Sequence, residues 1–178
     1  MTRPQDSTAL EYCRIEGPAV LPALEFQTFE FPLILRAAGQ LPGTPGTLHL
    51  GDLGQIRLLH FAPGRFLAPS PQSSLIQVLD DLQADGVGVV FDVEGKWHAY
   101  RMTGRGSERF LASTIDVSRA LRNRDCAAVP LFDCSAIVAG RPGGFDVWVE
   151  ASYSRAFKER ADQCLSSLWE FARQSEPS

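Results

Sequence analysis

The chain has 178 residues, 44% apolar and 21% charged, which is the balance of a globular protein and not of a disordered or fibrous one. With 17 Lys and Arg against 21 Asp and Glu the net charge is −4, the wrong sign for a protein held to nucleic acid mainly by phosphate neutralisation. No apolar run approaches the ~20 residues of a membrane-spanning helix, and Met1–Asp6 has no signal core, so a cytoplasmic protein without nucleic-acid or membrane partners is expected.

Residues 1–25 carry Pro and little pattern and read as an extended arm. A single domain should follow over 26–178, with halves at about 26–86 and 87–174. Phe29, Phe31, Leu33 and Leu35 alternate with Glu30, Pro32, Ile34 and Arg36, the period of a strand, and Pro32 favours a sheet edge. Leu41–Gly46 is a loop by composition. Ile56–His60 and Arg65–Ala68 read as strands joined by a turn at Ala62-Pro63-Gly64. Ser70 and Pro71 suit the cap and first position of a helix with Leu75, Val78, Leu79 and Leu82 on one face, ended by Asp85-Gly86.

The apolar run Val87–Val93, a turn at Glu94-Gly95-Lys96 and Trp97–Met102 predict a β-hairpin. A short helix over Thr103–Ala112 should turn Phe110 and Leu111 inward, and Asp116 is placed to cap another carrying Val117 and Leu121. Ala127–Leu131 and Ala136–Val138 are strand-like, and Arg141–Gly144 is a turn. Phe145, Val147 and Val149 alternate with Asp146, Trp148 and Glu150. Phe157, Ala161, Cys164, Leu165, Leu168 and Ala172 then mark one face of a helix of about five turns. Two strand-strand-helix units are visible, one ending near Ala84 and one near Arg173, which predicts an α+β fold with antiparallel sheets.

Chemistry-bearing patterns are sparse. There is no complete dinucleotide or phosphate loop and no G-x-S-x-G, so no catalytic residue is assigned. Cys13, Cys126, Cys134 and Cys164 are far apart, and His49, His60 and His98 have no neighbour at ligand spacing, so no metal site is expected. Asp133 lies beside Cys134 and raises its pKa, which opposes a reactive thiol. Asp92 and Asp133 sit within apolar stretches and read either as turn residues bonding nearby backbone or as ligand-binding carboxylates. Arg119, Arg122 and Arg124 form the one basic cluster, either a solvated helix end or an anion site. If Val147 and Val149 face the core, Trp148 faces out, and with Tyr153 and the Arg cluster it becomes a candidate partner contact.

Leu41-Pro42 with Pro45-Gly46-Thr47, the run Ile56–Leu67, Val90–Val93, Met102-Thr103-Gly104, Phe110-Leu111-Ala112 and Phe145–Tyr153 together resemble the gamma subunit of heterotetrameric sarcosine oxidase, over roughly residues 30–172. The sequence departs from that family at Gly64-Arg65-Phe66, where an acidic residue and Trp are usual. The resemblance implies a fold similar to the folate-binding domain of the glycine cleavage T-protein and the N-terminal domain of a tRNA-modifying GTPase. It also implies an accessory subunit that binds no cofactor itself, with FAD, FMN, NAD and tetrahydrofolate carried by larger flavoprotein subunits. The T-protein's folate-gripping acid has no matching pair here, so the folate site does not carry over. The alternative is a stand-alone module that binds a folate or pterin ring.

Overall fold

In the strand Cys134–Arg141, Ala136 and Val138 point to one side and Ile137 and Ala139 to the other, and all four are buried. Successive side chains of a strand alternate between faces, so burial on both faces requires a packed layer on each side. The computed structural model, which describes residues 12–28, 46–49, 57–121 and 125–175, supplies those layers. The strands are β1 (Arg14–Val20), β2 (Ala23–Thr28), β3 (Gly46–His49), β4 (Arg57–Ala62), β5 (Arg65–Pro69), β6 (Gly88–Asp92), β7 (Trp97–Thr103), β8 (Cys126–Leu131), β9 (Cys134–Arg141) and β10 (Gly144–Glu150). The helices are α1 (Ser73–Ala84), α2 (Ser107–Ala112), α3 (Val117–Ala120) and α4 (Ser154–Ser175).

Among the described residues the strands form two five-stranded antiparallel sheets, in the orders β1-β7-β10-β9-β8 (sheet I) and β3-β4-β5-β2-β6 (sheet II). Three apolar clusters define the stacking. Tyr100, Met102, Val138, Val147 and Val149 of sheet I pack against Phe110 and Leu111 of α2 and Phe157 and Ala161 of α4. The other face of sheet I, with Trp97, Ile137, Ala139 and Trp148, meets Ala23, Leu59, Phe61 and Leu67 of sheet II. The far face of sheet II, with Phe26, Leu58, Phe66 and Ala68, is covered by Leu75 and Leu79 of α1. The result is a helix, sheet, sheet, helix stack, mixed α/β with antiparallel sheets.

The two sheets share one plan. Sheet II read from β3 gives a strand, the hairpin β4-β5, then β2 and β6; sheet I read from β8 gives a strand, the hairpin β9-β10, then β7 and β1. Each hairpin leads into the helix that covers its sheet, α1 or α4. Both hairpins turn on Pro-Gly, and Gly64 and Gly143 hold φ of +65° and +79°, a region that only glycine enters at no steric cost. At Gly64 a Cβ would also stand 2.3 Å from the Thr28 carbonyl. Sheet II is closed beside β2 by β6, which follows α1, whereas sheet I is closed beside β7 by β1 from near the start of the chain. Residues 14–20, read from sequence as part of an arm, therefore complete the sheet of the second unit.

Three local expectations change. The predicted hairpin over Val87–Met102 does not form, because β6 pairs with β2 in sheet II and β7 pairs with β1 and β10 in sheet I. The chain keeps the tight turn at 94–96 but uses it to cross between layers. Val93 N–H donates to the Ala23 carbonyl and Lys96 N–H to the Val93 carbonyl. Helix α1 begins at Ser73, with Gln72 in the cap position and no side-chain capping bond. Ser70 instead takes φ of +51° and ties its N–H to the Pro22 carbonyl, which holds it in the loop after β5. Helix α2 begins only at Ser107, because Thr103 is still in β7, opposite Arg14 and Gly144. Helix α3 starts where Asp116 predicts, its side chain accepting from Arg119 N–H. The strand expected over 29–36 and most of the 41–46 loop lie outside the described residues.

One buried carboxylate fixes the crossing. Glu25 of β2 is 8% exposed and accepts from Trp97 Nε1 at 2.7 Å and Lys96 Nζ at 2.6 Å, with Arg65 Nη2 at 3.3 Å. Burial by itself would raise its pKa, but the bonds from Lys96 and Trp97 and the charges of Lys96 and Arg65 outweigh that and hold it below the ordinary value. A carboxyl whose pKa is lowered by folding stabilises the native state above its unfolded pKa of about 4.3, and loses that contribution as pH falls through the folded value. Glu25→Gln should therefore cost roughly 2 kcal/mol at neutral pH, and the wild-type advantage should shrink as pH drops below about 4. Urea denaturation of both proteins across that range measures it, and parallel acid limbs would disprove the assignment.

Candidate functional site

Asp146 of β10 lies opposite Arg101 of β7 and Ala139 of β9, on the face of sheet I that looks towards sheet II. Two residues on, Trp148 lies opposite Ala99 and Ile137 on that same face. Arg57 enters from the start of β4 in sheet II, and Arg141 from the end of β9. Three guanidinium groups thus meet one carboxylate. Arg57 Nη1 is 2.5 Å from Asp146 Oδ2, Arg141 Nη1 is 3.2 Å from Oδ1, and Arg101 Nε is 3.6 Å from Oδ1. Arg57 Nη2 also donates to the Gly140 carbonyl at 3.2 Å, and its Cζ stands 5.5 Å from the Trp148 ring centroid.

A cleft of about 410 Å³ opens beside this cluster, with Ala19, Leu21, Pro69 and Ala99 as its apolar wall and Arg57, Arg101 and Trp148 along the polar side. A second hollow of about 460 Å³ shares Arg57, Arg101 and Asp146 and reaches Asp125 and Arg141. Trp148 is 4% exposed, and its Nε1 has no hydrogen-bond partner; the buried Nε of Arg141 has none either. Buried donors are nearly always satisfied in folded proteins, so two in one place mark a site with unused hydrogen-bonding capacity. Glu16, also in the wall, is matched by Arg14 at 2.9 Å. Among the described residues, Arg57, Arg101 and Arg141 line the two hollows together with Glu16, Asp125 and Asp146.

The carboxylates singled out from sequence stand elsewhere. Asp92 ends β6 in sheet II, where its Oδ1 accepts from Glu94 N–H at 3.0 Å. Asp133 lies in the β8–β9 turn with φ of +62° and pairs with Arg160 at 3.0 Å, its side chain almost wholly in solvent. They belong to different sheets, and neither lines the cleft. Trp148, expected on an outer face, is buried between the sheets because the side of β10 opposite the helices is covered by sheet II. Tyr153, in a single 3₁₀ turn before α4, is 45% exposed. Arg119 is exposed on α3, and Arg122 and Arg124 lie outside the described residues. Sequence reasoning passed over Arg57, Arg101, Arg141 and Asp146. Arg101 and Asp146 occupy polar positions of alternating strands, a pattern that elsewhere means solvent.

The cysteines are free thiols, with Cys13, Cys126 and Cys134 buried. Burial, with Cys164 nearby, pushes the Cys13 thiol up to about 11. Burial also raises Cys134, with Asp133 adding to the shift and Arg160 opposing it. Among the described residues, no group of three or more His, Cys, Asp or Glu side chains could hold a metal ion, and no helix is long and apolar enough to cross a membrane.

No family model matches this chain, and no curated protein matches it either. Among solved structures it is similar to a chain of the heterotetrameric sarcosine oxidase from Corynebacterium sp. U-96 in complex with pyrrole 2-carboxylate. The TM-score is 0.66 at 18% identity, over 87% of this chain and 84% of that one. At that identity the likeness is one of fold, and the coverages make the two chains similar in length. A match to Methanococcus jannaschii TBP at 13% identity covers 84% and 96% of the two chains, but its TM-score of 0.28 carries no argument.

Two outcomes follow from this geometry. Asp146→Asn leaves three guanidinium groups without their shared counter-charge and should destabilise the fold by about 2 kcal/mol, less than a fully buried pair because Arg101 is half exposed. Part of that loss should return on adding salt, read as a rise in Tm, because screening weakens repulsion among the arginines. With a disulfide reagent at pH 8, Cys13 and Cys134 should react far more slowly than a free peptide thiol, since only the thiolate attacks. Rates equal to the peptide's would show that burial does not suppress either thiolate.

Proposed function

We propose that this chain is a gamma-like, non-catalytic subunit of a heteromeric flavin-dependent amine oxidase or dehydrogenase of the sarcosine oxidase type. The observation that carries the reading is the fold match, which runs nearly end to end between two chains of similar length, one of them part of a heterotetrameric oxidase. On this reading the fold is the folate-binding-domain type that the sequence motifs resemble, and FAD, FMN, NAD and tetrahydrofolate belong to the larger subunits.

The surface supports an accessory role. Val20, Val89, Phe91 and Tyr153 are each between 45% and 56% exposed. Val89 and Phe91 stand on β6, the edge strand of sheet II among the described residues, opposite Gln27 and Glu25. Apolar side chains on an edge strand suit burial against another protein. The outward N–H of Val90 is occupied by Gln83 Oε1 at 2.7 Å, which discourages strand addition and leaves side-chain packing as the mode of contact. The alternative of a stand-alone folate or pterin binder asks for a carboxylate facing ring nitrogens. It has less support, because Asp92 already accepts a backbone bond in its turn and Asp133 holds Arg160 at the surface.

Expressed with the large flavoprotein subunits of its native host, the chain should co-elute with them in a complex that shows flavin absorbance and oxidises secondary amino acids such as sarcosine. Val89→Asp should release it from that complex while leaving its own Tm within a degree or two, because the side chain is already nearly half exposed and lies opposite Gln27. A chain that elutes alone and has no effect on any such oxidase would refute the proposal.

A further inference from the structure

The cleft at the Asp146 cluster is unused by a role in subunit packing, and its chemistry is specific. We propose that it binds a small organic monocarboxylate through Arg101 and Arg57, with the organic body against the wall of Ala19, Leu21, Pro69 and Ala99. This inference does not depend on the chain's being a subunit of an oxidase.

Four observations converge on it. First, three guanidinium groups, those of Arg57, Arg101 and Arg141, share the one carboxylate of Asp146, so donors with positive charge are concentrated at the cleft. Second, Arg101 is available: only its Nε approaches Asp146, at 3.6 Å, its side chain is 55% exposed, and its Nη atoms hold no bond among the described residues. A guanidinium presents paired N–H donors in one plane, the geometry that takes both oxygens of a carboxylate. Third, the wall beside these donors is apolar, and about 410 Å³ suits a small molecule, within the range of about 300–1,000 Å³ usual for ligand sites. Fourth, Trp148 is almost wholly buried at the cleft with its indole N–H unbonded, and Arg57 lies over its ring. Transfer of Arg57 from Asp146 to an incoming anion changes the field at that ring and exposes the indole donor to an acceptor.

Glu16 opposes any anion from the opposite wall and bounds the affinity, although Arg14 offsets its charge.

The indole N–H resonances give a direct readout on the full chain. Propionate should move the Trp148 signal, identified by its loss in Trp148→Phe, in a saturable way. The Trp97 signal should stay fixed, because its Nε1 is held by Glu25. Arg101→Gln should raise the apparent Kd by about tenfold or more, as expected for loss of a charge-assisted bond, while Glu16→Gln should lower it. Arg101 is half exposed, so its substitution leaves the fold intact for the comparison. Calorimetry of propionate binding to the wild type and Arg101→Gln provides a second measure independent of the resonance. The proposal is overturned if the Trp148 signal does not move at tens of millimolar propionate, or if Arg101→Gln titrates like the wild type. It is equally overturned if chloride or inorganic phosphate at matched ionic strength gives the same shift, since that would be screening.

Discussion

The arrangement turns on Glu25. Its carboxylate sits in the seam between two sheets and accepts from Lys96, the last residue of the crossing turn, and Trp97, the first after it. An isolated buried carboxylate would be strongly unfavourable, and this one persists because donors converge on it from β5 and from the crossing segment. Those donors also settle the direction of the chain. With Trp97 held to Glu25, the segment after the turn enters sheet I and does not return beside β6.

Once the crossing is fixed, the pseudo-repeat explains the rest of the stack. Each unit builds a sheet and covers its outer face with the helix that follows a Pro-Gly hairpin, and the two inner faces meet. Sheets packed face to face place alternate residues of each strand in a shared core, which is why both faces of β9 are apolar. The second unit has no later described strand to close its sheet, and β1 fills that place. Gly17 allows this approach, since its φ is +126° and a Cβ there would lie 2.7 Å from the Ala99 carbonyl. Tyr100 then ties sheet I to the start of α4, its hydroxyl bonded to Ser154.

The same layering creates the polar cleft. Beside Trp148, the inner face of sheet I changes from Ile137 and Ala139 to Arg101 and Asp146. Arg57 is the bridge, bonded to sheet I through Asp146 and the Gly140 carbonyl while stacked on Trp148. A charge cluster in this position joins the layers and stays open to solvent on one side, so it keeps donors that the fold itself does not consume.

The sequence by itself determined the local elements. Alternation marked β10, short strand-like runs beside turns marked β4, β5 and β9, the 3.6-residue period marked α1 and α4, Pro-Gly marked both hairpins, and Asp116 marked the cap of α3. Each of these is set by interactions within a few residues, and its signal is complete in a short window. Only the tertiary structure decided which strands pair, and here the nearest partner in sequence was the wrong one for β6 and β7. Their pairing depends on β2 and β1, tens of residues away, and on a carboxylate whose donors no spacing rule connects to it. Only the tertiary structure, too, decided that Trp148 is inside and that Arg57, Arg101, Arg141 and Asp146 form one cluster. A period of two reports two faces but not what covers each of them. Whether a polar residue on a strand meets water or a second sheet is fixed by the stacking of layers, which local pattern does not encode.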